Sequence, residues 1–142
     1  MLATISFFAL AIFGLGAVSV ATDADIIAVP GLGQAPGIIG MLMAATVFAL
    51  LLWAKVRKPH PSYVASVSIG LFAGLAHLVA VWCTVLFTTG GVVLATAVAG
   101  DLVRGGASAV LVLAAAIAGW GGIALRRTRA SAPRWPWEND DE

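Results

Sequence analysis

Charge is scarce in this sequence. Asp, Glu, Lys and Arg make up 11% of 142 residues, against about a quarter in an ordinary soluble domain. A folded chain of this length has more surface than so few charges can cover in water. Cysteine occurs once, at Cys83, so no intrachain disulfide can form and no CxxC pair exists. Histidine occurs twice, at His60 and His77. The net charge of +1 leaves no basic face of the kind that nucleic acid requires, so no nucleic-acid partner is expected. Strict apolar/polar alternation is also missing. That excludes a transmembrane β-barrel, whose strands alternate between lipid and lumen.

What is present is long uncharged apolar sequence, within a composition that is 61% hydrophobic. About 20 apolar residues at a rise of about 1.5 Å span a hydrocarbon core of about 30 Å. Backbone groups in lipid must be satisfied within their own segment, which leaves helices as the solution. Residues 2–22 form the first uncharged run, closed by Asp23. Pro30 and Pro36 interrupt the start of the next, and Pro36 suits the first turn of a helix over 36–54. That helix stops at Lys55, Arg57, Lys58 and Pro59. Ser62 can cap a third helix over 62–88, which meets the breaker Thr88-Thr89-Gly90-Gly91. The fourth is expected over 105–125, ahead of Arg126, Arg127 and Arg129.

The segment 92–104 is apolar but too short to span. It reads either as an interfacial piece or as an outward extension of the fourth helix, with Asp101 and Arg104 spaced i, i+3. A break at Gly105-Gly106 is preferred, because a single helix from 92 to 125 would be about 50 Å long. The fold class is therefore an all-α integral membrane protein, a bundle of about four transmembrane helices. Its organisation is one bundle over 1–129 followed by an acidic, Trp-containing tail over 130–142.

Charge segregation sets the expected orientation. Lys55, Arg57 and Lys58 follow the second span, and Arg126, Arg127, Arg129 and Arg134 follow the fourth. The opposite loops hold Asp23, Asp25, Asp101 and only Arg104. The positive-inside bias puts both termini in the cytoplasm. Trp53, Tyr63, Trp120, Trp135 and Trp137 fall near the same headgroup level, as interfacial anchors should. The rich use of Ala, Val, Gly and Arg fits a bacterial protein, so the expected location is the bacterial inner membrane, crossed several times. A rival reading takes Ser19-Val20-Ala21 as a signal-peptide cleavage site. Against it, no Lys or Arg precedes the apolar run, and the run is long for a signal sequence.

His77 is the sharpest candidate for chemistry, near the middle of the third span with no other ionisable group at that depth. Ser66, Gly70 and Gly74 recur at four-residue spacing, and His77 continues the stripe. Gly70-x-x-x-Gly74 lets another backbone approach closely, so His77 should face a neighbouring helix. Its functional readings are a proton relay, a haem ligand or a substrate contact; its structural reading is a neutral imidazole bonded to a neighbour. Haem held by two histidines would need a partner at matching depth, and His60 lies between prolines in a loop. No cofactor and no metal are expected. Cys83 reads as a small apolar filler.

Gly31-Leu32-Gly33-Gln34-Ala35-Pro36-Gly37 lacks the third glycine and the lysine of phosphate loops, and reads as an extracellular loop. Asp23 and Asp25 are too few for a calcium site. Ala114, Ala118 and Gly122 form a second small-residue stripe, with Ala115 and Gly119 parallel to it. Such stripes either close the bundle or bind another subunit. From these features the expected function is a non-catalytic subunit or assembly protein of a larger membrane complex. Its partners would be the bilayer and other membrane subunits or a second copy of itself. The alternative is a small homo-oligomeric transporter or channel with His77 in its pathway.

Overall fold

A computed structural model of the chain describes residues 1–23, 33–57 and 62–130. Among them the fold is entirely helical. Five helices follow in order: α1 (Leu2–Thr22), α2 (Ala35–Val56), α3 (Val64–Thr89), α4 (Val92–Arg104) and α5 (Ala107–Ala130). Four of them, α1, α2, α3 and α5, are long and apolar enough to cross a membrane. The 21 residues of α1 rise about 32 Å, the thickness of a hydrocarbon core.

Local chemistry explains where the helices stop. Pro36 occupies the first turn of α2, where its missing N–H is not needed. Ser62 Oγ accepts the Val64 N–H at 3.3 Å, so α3 opens two residues later than the sequence implied. Gly90 ends α3 in the left-handed region (φ 68°) and donates its N–H to the Leu86 carbonyl at 2.8 Å. The segment 92–104 is a helix of its own. It breaks at Gly105-Gly106, where Gly106 takes φ 81°, a conformation that side-chain-bearing residues rarely adopt. The last helix then runs to Ala130, beyond the expected end near Leu125, because the arginines at 126, 127 and 129 are good helix formers.

Helix α3 is the centre of the bundle, packing against α2, α5 and α4. The glycines set the register. A Cβ on Gly70 would lie 2.6 Å from the Val112 carbonyl oxygen and 3.2 Å from Ala116 Cβ, so α3 and α5 touch backbone to backbone. Further toward the basic end of α5, Gly119 faces Ser66 and Phe48. Residue numbers thus run in opposite directions on α3 and α5, which are antiparallel. On the other flank Gly40 of α2 meets His77 and Val81. Helix α1 rests on α5, with Gly14 against Val110 and Ala3 against Gly122, and touches α2 only lightly. Phe7 and Phe48, both fully buried, stack at 4.8 Å where α1 and α2 do meet. A second cluster of Val81, Val85, Ala95, Val98 and Leu102 seals α4 onto the outer half of α3.

The outside of the bundle is apolar. Ile12, Phe13, Leu50, Phe72, Leu113 and Ile117 all stand more than half exposed on the four long helices. Hydroxyl groups on these helices bond back to their own backbone: Thr46 to Leu42 and Thr84 to Ala80, at 2.8 and 2.7 Å. Both features suit a hydrocarbon solvent, which offers no partner for a polar group. The chain has the architecture of a multi-pass membrane protein.

Candidate functional site

His77 is 5% exposed, on the α2 and α5 side of α3. The missing side chain of Gly40 is what admits the ring: a Cβ there would lie 2.9 Å from His77 Cδ2 and 3.0 Å from Nε2. The ring's Nδ1 is buried without a hydrogen-bond partner among the described residues. One other buried side-chain atom shares that condition, Ser108 Oγ in the first turn of α5. Gly74 lies beside Val112 and the Ser108 carbonyl. One turn further along α3, the antiparallel register brings His77 and Ser108 to the same level. The first N–H groups of α5 open there too, just after the Gly105-Gly106 break.

His77 is central in α3 but not in the bundle. Gly40, its contact on α2 and that of Val81, comes five residues after the helix start at Ala35, so His77 lies about 8–14 Å below that end. The offset arises because α3 runs past its neighbour: by the same register, Ala35 is level with residues 82–86, and α3 continues to Thr89. A lone imidazole and a lone hydroxyl at this depth can hold a small polar ligand or pass a proton. Among the described residues no group of three His, Cys, Asp or Glu side chains gathers for a metal ion. His60 lies outside the described residues, and Cys83 is half-buried as a free thiol.

The small-residue stripes are used inside the bundle. Gly70 and Gly74 both receive α5, the latter through Val112. Ala114 and Ala118 are each 4% exposed, and Ala115 is fully buried. Gly122 meets Ala3 of α1 and Leu52 of α2, at 3.1 Å from each. Three positions in these contacts lay outside the sequence reading. Gly40 carried a signal, since Gly40 and Ala44 repeat the small-x-x-x-small spacing on α2. Gly14 and Ser108 carried none, because their roles depend on which helix lies opposite.

The aromatic anchors collect at one end with the basic residues. Arg57 lies over the Trp53 ring at 3.7 Å, and Arg127 over the Tyr63 ring at 4.8 Å. Tyr63 and Trp120 approach to 6.2 Å. Asp23 and Asp101 lie at the other end of their helices. Trp135 and Trp137, with the rest of the acidic tail, lie outside the described residues. Between α1 and α2, at the basic end, a groove of about 1010 Å³ runs along Leu2, Ile5, Leu50 and Trp53 to Arg126.

No protein-family model matches this chain, and no curated protein and no solved structure matches it either.

Proposed function

We propose that this chain is a non-catalytic subunit or assembly protein of a larger membrane complex, docking through the loop end of the α3–α4 hairpin. The observation that supports this reading is the apolar tip of that hairpin. Phe87 and Val93 are 86% and 85% exposed, and Val92 stands beside them. They lie beyond the start of α2, on the stretch of α3 that outruns its neighbour. Apolar side chains exposed in such a place are what an interaction site requires. Trp82 Nε1–H donates to Thr96 Oγ1 at 3.3 Å and holds the two arms together, so the tip is a preformed surface. The small-residue faces lend no support, because they are occupied within the bundle.

In this proposal the protein resides in a bacterial inner membrane with both termini cytoplasmic. The reasons are the common end shared by Lys55, Arg57, Arg126 and Arg127 and the placement of Asp23 and Asp101 opposite. Purification from native membranes in mild detergent, followed by mass spectrometry, tests it. We expect a stoichiometric membrane partner that Phe87→Asp with Val93→Asp removes. Migration of the unaltered chain as a lone monomer contradicts the proposal.

A different observation favours a second reading, a small homo-oligomeric transporter or channel with His77 in its pathway. Interrupted helices and polar atoms set beside them mark substrate sites in transporters. Here His77 Nδ1 and Ser108 Oγ, both buried without a hydrogen-bond partner among the described residues, flank the start of α5. Proton or solute flux in liposomes that His77→Ala leaves unchanged removes that rationale.

A further inference from the structure

The groove at the basic end has a form of its own. Helix α1 is held by α5 along its length, through Gly14 at Val110 and Ala3 at Gly122. It meets α2 at the Phe7–Phe48 stack, and toward the basic end the two helices part. The wedge between them is about 1010 Å³ in volume and runs from Phe8 and Ala49 to the helix ends. Eight residues of α1 rise about 12 Å, so the groove is less than one leaflet deep. It is not a passage through the bundle.

Its lining is graded. The deep part is Ile5, Phe8 and Leu50, without a charge. Thr4 is the polar side chain partway up, and Arg126 stands at the mouth. Arg57 is engaged on the Trp53 ring and Arg127 on the Tyr63 ring, so among the described residues Arg126 is the guanidinium that lines the groove itself. The acidic residues among the described ones, Asp23 and Asp101, follow α1 and end α4 at the opposite end. An apolar slot less than one leaflet deep, with a cation at its mouth that has no acidic neighbour among the described residues, is complementary to one kind of molecule. That molecule has acyl chains below and a negative charge at headgroup level.

We propose that this groove is a binding site for a single anionic glycerophospholipid of the basic-side leaflet. The chains lie between α1 and α2, and the phosphate lies on Arg126. The inference rests on the membrane reading but not on any partner subunit. Lipid would fill the space that α1 and α2 leave between them, and so brace α1, which α2 supports little.

Native mass spectrometry of the full chain, released from mixed micelles of phosphatidylglycerol and phosphatidylcholine with matched acyl chains, tests it. We expect one phosphatidylglycerol molecule retained per chain, in preference to phosphatidylcholine. Arg126→Gln should lower that preference about fivefold, the effect of one basic residue at a lipid surface. Arg127→Gln, at the same end but outside the groove, should leave it within about twofold. Leu50→Trp, a lipid-facing position that tolerates a larger side chain, should reduce retention of both lipids by filling the slot. Equal losses from Arg126→Gln and Arg127→Gln would reduce the effect to general surface charge and overturn the proposal. So would dimers in place of lipid adducts, or lipid retained only by a chain ending at Ala130, which would make the acidic tail the occupant.

Discussion

Substituting alanine for Gly70 is the sharpest perturbation of this bundle. The added Cβ would lie 2.6 Å from the Val112 carbonyl oxygen and 3.2 Å from both Ala116 N and Cβ. The nearest of these atoms is backbone and cannot rotate away, so α3 and α5 must separate. Overpacking of this kind costs about 1–3 kcal/mol, and alanine returns up to about 1 kcal/mol of helix propensity. A net loss of up to about 2 kcal/mol follows. Gly74→Ala makes a closer contact on paper, 2.5 Å, but with Val112 Cγ2, the end of a side chain. A rotamer change relieves it, so the loss there should be under about 1 kcal/mol. Gly121→Ala meets nothing within 4 Å and should be neutral or stabilising by up to about 1 kcal/mol. Thermal unfolding of the three variants in one detergent, followed by tryptophan fluorescence, reads this order. Each kcal/mol moves the midpoint by a few degrees in a chain of this size. If Gly70→Ala is as benign as Gly121→Ala, the α3–α5 packing described above is wrong.

His77→Leu should leave stability unchanged or raise it by about 1–2 kcal/mol, since it removes a buried Nδ1 without a described partner. Its measurement is the same unfolding assay, and a large loss would reveal a hydrogen bond at that nitrogen. Phe7→Ala should cost about 3–5 kcal/mol, because the ring is fully buried and stacked on Phe48. Phe72→Ala, at a ring that is 56% exposed to the lipid side, should cost less than about 1 kcal/mol in parallel unfolding curves.

Much of this fold was legible because lipid makes strong demands on a sequence. Four uncharged runs, Pro36 in the first turn of α2 and the glycine pairs at 90–91 and 105–106 marked the elements and their breaks. The gathering of Trp53, Tyr63 and Trp120 with the arginines was legible too, since headgroups select both residue types. Contacts between helices were not. A glycine stripe announces a close approach but not the helix that makes it, so Gly70 and Gly74 could be read while their partner Val112 could not. The mid-helix place of His77 in α3 was legible, and its level relative to α2 was not. Position within α3 fixes depth only if all helices share their ends, and α3 outruns α2. The groove beside Arg126 exists because α1 rests on α5 rather than on α2, a choice between two apolar faces that composition does not record.

Side-specific labelling of single cysteines decides most directly whether these helices cross a bilayer. With Cys83→Ala as background, Arg57→Cys and Arg127→Cys should react with an impermeant maleimide only from the cytoplasmic face. Asp23→Cys and Asp101→Cys should react only from the opposite face. Labelling of Arg57→Cys and Arg127→Cys from different faces, or recovery of the chain in a detergent-free soluble fraction, would contradict the account.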